Sequence, residues 1–190
     1  YVGVRVGAGD LDYSDVHRNI EIGAAIRTEK GDTSGYHYYG TIHGGWWFGT
    51  PSLLHGPFAR FTYQEAKVRQ FSENSASSTA LTYGAQKREA AVTSLGYQAT
   101  GTFGAIRPWG RASWEYDAKA DDRSVSATPV LLGGTYQVGA YKPDDSYFLF
   151  NLGASMDVGR ATAFLSGSAT GGKSDGDYYA VTLGVRIPVQ

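Results

Sequence analysis

The stretch from Tyr178 to Ile187 constrains the fold more than any other part of the chain. Tyr179, Val181, Leu183, Val185 and Ile187 fall on one face, and Tyr178, Ala180, Thr182, Gly184 and Arg186 fall on the other. Such strict alternation is the pattern of a β-strand with one apolar side and one small or polar side. Its length, about ten residues, matches a tilted strand that crosses a bilayer. If lipid is the solvent on the apolar side, the mixed side lines a lumen.

The same design recurs along the chain. Val2, Val4, Val6 and Ala8 oppose Gly3, Arg5, Gly7 and Gly9 in a first strand that runs to about Tyr13. A polar link, 14–18, precedes a second strand in which Ile20, Ile22, Ala24 and Ile26 oppose Glu21, Gly23, Ala25 and Arg27. The turn formers of 30–35 lead to a third strand over 36–48, followed by a turn at 49–57 that Pro51 and Pro57 bound, because proline does not suit a central ladder. Ala59, Phe61 and Tyr63 oppose Arg60, Thr62 and Gln64, with a long loop expected over 72–86. Further strands place Leu95 and Tyr97 against Gln98, Ala112 and Trp114 against Arg111 and Glu115, and Phe148, Phe150 and Leu152 against Asn151 and Asp157. Residues 119–146 read as irregular. A short link at 157–160, a strand over 161–170 and a loop at 171–176 complete the chain.

The pattern predicts an all-β, antiparallel, up-and-down transmembrane barrel with about nine strands present. Short links near 15–18, 49–57, 104–108 and 157–160 sort to one rim, and the longer loops sort to the other, as in outer-membrane barrels. Nine is an odd number, whereas complete bacterial barrels are even, so front strands are expected to lie ahead of Tyr1. Twenty-six glycines, fourteen tyrosines, four tryptophans and a negative mean hydropathy fit this reading. A soluble β-sandwich of carbohydrate-binding type has a similar composition. The net charge of -1 and the lack of a basic cluster give no reason to expect nucleic acid. There is no cysteine, hence no disulfide or thiolate metal site.

Charges on the mixed faces are the candidate lumen residues: Arg5, Glu21, Arg27, Arg60, Arg88, Arg111, Glu115, Asp117, Asp157 and Arg186. A charge facing lipid at the midplane costs roughly 2–4 kcal/mol, which explains placing them inward. There they pair along the wall or cradle a polypeptide segment, with Arg111 and Glu115 the best candidates for the second role. Aromatic residues gather at two heights, as expected of the belts that mark membrane–water interfaces. Trp46, Phe48, Phe103 and Trp109 adjoin short turns, and Trp114, Tyr116, Phe148 and Tyr179 lie toward the long loops. No catalytic or metal residue is assigned, and no cofactor is expected. His17, His37, His43 and His55 form no metal motif, and His37 and His43 are about 20 Å apart along one strand.

Several segments carry a family resemblance: Gly9-Asp10-Leu11-Asp12-Tyr13, residues 22–35, Gly56-Pro57-Phe58-Ala59, residues 77–83, Arg107-Pro108-Trp109 with Trp114-Glu115, and Pro143-Asp144-Asp145. In their order and spread, they make the chain similar to the C-terminal translocator barrel of GDSL-type autotransporter esterases. The resemblance implies a barrel of about twelve strands, a helix in the lumen, and an esterase passenger upstream of Tyr1. Residues 1–190 would then be the translocator domain, which anchors the passenger in the bacterial outer membrane and helps export it. Its partners would be outer-membrane lipid, its own passenger or linker segment in the lumen, and the barrel-assembly machinery. The passenger's Gly-Asp-Ser-Leu motif is absent from this chain, which is therefore not expected to be an enzyme itself. The ending Ile187-Pro188-Val189-Gln190 departs from the aromatic terminus usual in that family. The alternative is a stand-alone small outer-membrane barrel acting as a pore, adhesin or lipid-modifying enzyme.

Overall fold

The computed structural model describes residues 1–188, so the two residues that close the non-aromatic ending lie outside it. Among the described residues thirteen strands form two sheets. The main sheet is one antiparallel path in the order β1 (Val2–Ile22), β2 (Ala25–Gly45), β4 (Leu53–Val68), β7 (Gln86–Gly101), β8 (Ile106–Asp117), β11 (Ser146–Val158), β12 (Ala161–Gly171) and β13 (Tyr179–Arg186). The short β3 (Phe48–Thr50) pairs with β4. A small second sheet joins β10 (Tyr136–Gly139), β9 (Ser124–Pro129), β6 (Leu81–Tyr83) and β5 (Phe71–Ser72). Among the described residues, β1 and β13 each have a single neighbour, and the sheet does not close on itself.

The main sheet is curled, and its side-chain contacts show it. The Tyr1 hydroxyl receives a hydrogen bond from Gln98 Nε2 at 2.6 Å, although β2 and β4 lie between β1 and β7. Neighbouring strands are about 4.8 Å apart, so such a contact is possible only where side chains converge on a concave face. The two faces reverse the usual distribution of polarity. Val181 and Leu183 are each 79% exposed on the convex face, with Val2, Val4, Val6, Ile42, Phe61, Leu95 and Leu152 also exposed there. Glu115, Ser94 and Ser113 are buried on the concave face.

Short connections lie at one rim: 46–52, 102–105 and 159–160, with Gly104 and Gly159 at positive φ in the last two. Longer ones, 69–85, 118–145 and 172–178, lie at the other. The expected link at 14–18 and loop at 30–35 do not exist. Both segments belong to two 21-residue strands joined at Gly23 and Ala24. Eight strands therefore cross rather than nine, and the main sheet starts and ends at the short-turn rim. The odd-number argument for missing strands falls with that correction.

Two prolines sit inside the ladder against expectation, Pro57 in β4 and Pro108 in β8. Pro57 lies opposite the break between β2 and β3, where Trp46 N donates to Pro57 O at 3.1 Å and no proline N–H is needed.

The β1–β2 hairpin continues past the apolar band. Its register shifts between Tyr13 and Val16, and Asp15 sits at φ 56 with its N–H bonded to Asp32 Oδ1. One extra residue in a strand turns every later side chain to the opposite face. Arg18 consequently falls on the same face as Glu29, its register partner on β2, and both point toward the loop at 69–85. Arg18 pairs with Glu73 at 2.7 Å, and Glu29 accepts hydrogen bonds from Ser75, Ser77 and Thr79. Those three hydroxyls hold the Glu29 carboxyl down at about 2, well below its ordinary 4.5.

Candidate functional site: the concave wall

Period-two alternation carries polar side chains from all eight strands of the main sheet onto the concave face. Glu115 is the hub, at 1% exposure. It accepts Ser94 Oγ at 2.5 Å and Ser113 Oγ at 2.6 Å, and it faces Arg60 Nη2 at 3.2 Å. With that many donors, the carboxylate stays ionised inside the wall without leaving a lone pair bare. Toward the short-turn rim, Arg111 donates to Gln98 Oε1 at 2.9 Å, and its guanidinium lies 4.4 Å over the Phe58 ring. Arg107 and Asp157 form an ion pair, and Asp157 also accepts Thr162 Oγ1 at 2.9 Å. Asp117 lies 3.9 Å from Arg88 and accepts the Ala91 N–H at 2.9 Å.

Two adjoining hollows follow this wall. One, of about 400 Å³, is lined by Tyr1, Arg5, His43, Trp47, Arg60 and Arg111 among others. The other, of about 570 Å³, is bounded by Gln98, Trp109, Arg111, Leu149 and Asn151 together with neighbouring residues. Charge is uneven along them. Six arginines, at 5, 60, 88, 107, 111 and 186, face three carboxylates, at 115, 117 and 157. The concave surface is therefore polar and carries a positive excess. Among the described residues no group of three acids or histidines is placed to hold a metal ion.

The structure puts Arg5, Arg60, Arg88, Arg111, Glu115, Asp117, Asp157 and Arg186 on the concave wall. Glu21 is a correction. It pairs with Ile26 beyond the bulge, on the side of Asn19 and Thr28, and so points away from the wall. Trp46, Phe48, Trp114, Tyr116, Phe148 and Tyr179 stand exposed on the convex side, and Phe103 lies exposed over Gly101 on the same side. Trp109 does not join them. It shares parity with Arg111 and lies against Gly153 on the concave face, where it lines the hollows. Arg107 was missed because it falls in a segment read as a turn. Its spacing of four from Arg111 was the available clue.

A curled antiparallel sheet with an apolar outside, a charged inside and loops sorted by rim defines the class of outer-membrane β-barrels. The family described as the autotransporter beta-domain matches residues 1–170, and the chain belongs to that family as an outer-membrane translocator barrel. It is 31% identical over 156 residues to Esterase EstA of Pseudomonas aeruginosa, covering 79% of this chain and 24% of that protein. To Lipase 1 of Photorhabdus luminescens it is 25% identical over 179 residues, covering 93% of this chain and 28% of that protein. The chain thus spans about a quarter of the length of these relatives. The crystal structure of the outer membrane protease OmpT from Escherichia coli overlaps 96% of this chain and 74% of its own, with TM-score 0.43 and 10% identity.

Proposed function

We propose that the chain is the membrane wall of a larger surface-displayed protein whose passenger is an esterase or lipase. The observation that carries this is the short coverage of relatives named as an esterase and a lipase, about a quarter of each. Residues 1–190 act as the translocator domain, and the chemistry belongs to the passenger rather than to this chain. Further strands bridge β1 and β13 and bring the barrel to about twelve strands, because an unpaired ladder edge in hydrocarbon leaves polar groups unsatisfied at several kcal/mol each. The concave wall holds the segment that links barrel to passenger, through Arg60, Arg111 and their neighbours. Outer-membrane lipid contacts the convex face, and the barrel-assembly machinery inserts it. Neither a cofactor nor nucleic acid takes part.

The test is the intact mass and topology of the native polypeptide in isolated outer membranes. A species far heavier than 20.4 kDa, with esterase activity that external protease releases, is the expected result. A native polypeptide near that mass, with no activity at the cell surface, refutes the reading.

A further inference from the structure

Above the apolar band, the convex face of β4 and β7 carries charges that the concave wall does not explain. In the β4–β7 register Glu65 lies opposite Glu89, and Lys67 lies opposite Lys87. Like charges directly opposed across a ladder repel each other, so each row needs a counterion. The acidic row has its partners. Tyr38 Oη donates to Glu65 at 2.9 Å and Tyr63 Oη donates to Glu89 at 2.7 Å. Lys87 lies 3.0 Å from Glu65 and 3.4 Å from Glu89, and Lys119 lies 3.5 Å from Glu89. The lysine row is left with a surplus. Three ammonium groups face two carboxylates, and Lys67 has no carboxylate within ion-pair distance among the described residues.

Height selects the counterion. Tyr38 and Tyr63 mark the long-loop edge of the lipid-facing band, and Lys67 is four residues further along β4. On a strand tilted by about 40° that is a rise of ~10 Å, the depth of the outer-leaflet headgroups. A phosphate there has four oxygens to share between Lys67 and Lys87, whose ammonium groups each have three donors.

We propose that this patch binds a phosphate of the lipopolysaccharide headgroup in the outer leaflet, with Lys67 and Lys87 as its paired contacts and Lys119 in support. Glu65 and Glu89 hold Lys87 and Lys119 in place rather than touching the lipid, and Lys67 stays open to it. The site rests on the membrane placement of the sheet, which folded electrophoretic mobility in bilayers tests separately.

The experiment uses the full-length protein in detergent, titrated with bisphosphorylated lipid A, dephosphorylated lipid A, phosphatidylglycerol and inorganic phosphate. Binding is read by native mass spectrometry and by the shift in Tm. Bisphosphorylated lipid A binds and raises Tm, and the other three do so weakly or not at all. Lys67→Gln and Lys87→Gln each weaken that binding about fivefold, the effect expected of one lysine at a lipid surface. Lys30→Gln, on the distal hairpin, leaves it unchanged. Should Lys87→Gln fail to fold, Lys67→Gln carries the test, since Lys67 has no carboxylate partner to lose. Equal binding of dephosphorylated lipid A, phosphatidylglycerol or free phosphate overturns the proposal, as does unchanged binding in the Lys67→Gln protein.

Discussion

Leu149 and Leu152 sit three residues apart on β11, so they point to opposite faces. Leu152 is 65% exposed on the convex side, flanked in register by Gly110 and Gly167, whose lack of side chains leaves it alone on the lipid surface. Leu149 lines the concave hollow of about 570 Å³, and its register partner Ser113 is bonded to Glu115. Placing arginine at each position uses one substitution to interrogate both solvents. Leu152 lies four residues from Phe148 and four from Met156, about 10 Å from either edge of the band on a tilted strand. That exceeds what an arginine spans by snorkelling, so the full midplane penalty of ~2–4 kcal/mol applies. At Leu149 the guanidinium enters water beside Glu115, and the expected change stays within about 1 kcal/mol. Urea unfolding of the reconstituted protein in phosphocholine vesicles, followed by heat-modifiable mobility, measures both. Equal penalties for Leu149→Arg and Leu152→Arg, or a larger one at Leu149, would show that the convex face does not meet hydrocarbon.

Removing the carboxylate in Glu115→Ala leaves Ser94 and Ser113 without their acceptor and Arg60 without its counterion, bonded only to Ser94 Oγ. A loss of about 2 kcal/mol is expected in the same assay, below the figure for a fully buried pair because Arg60 stays half-hydrated. Glu115→Gln, which keeps one acceptor, should recover part of it. Glu29 gives a pH prediction. Its folded pKa, about 2, lies below the ordinary 4.5, so the stabilisation is complete above 4.5 and disappears as pH falls through about 2. Hydrogen exchange of the 73–81 amides should stay protected at pH 3.5, and Ser77→Ala should shift the loss upward; protection already lost at pH 4 would contradict this. Gly35→Ala drives a methyl group into the Lys67 carbonyl on β4, so a loss of roughly 1–3 kcal/mol is expected from equilibrium unfolding.

The lipid-facing strands were legible because hydrocarbon accepts only one kind of side chain. β11, β12 and β13 run close to the bounds that their alternation indicates, and the Arg111–Glu115 face follows directly. Legibility ends where lipid ends. Lys30-Gly31-Asp32-Thr33-Ser34-Gly35 looks like a turn by composition, yet it continues β2, because both its faces lie outside the bilayer and no solvent enforces a pattern. Its glycines serve close packing instead: a side chain at Gly31 would meet Phe71 and the Ser72 carbonyl. Glu21 falls on the other side because Ile20, Ile22 and Ile26 read as one alternating strand, whereas the chain turns between Ile22 and Ala25; the bulge at Asp15 is one residue long, and nothing in the alternation announces it. The small sheet of β5, β6, β9 and β10 has strands too short for any period to register.

Strands of 21 residues in the β1–β2 hairpin extend ~70 Å, roughly twice what a tilted crossing of the bilayer requires. The hairpin is therefore one continuous ribbon in two media. Its lower half is held by a greasy annulus that no change of pH or salt reaches. The upper half is a mast stayed largely by polar guys, among them those at Arg18 and Glu29, and it answers to the composition of the surrounding water. Acid or salt should slacken the masthead long before the hull yields.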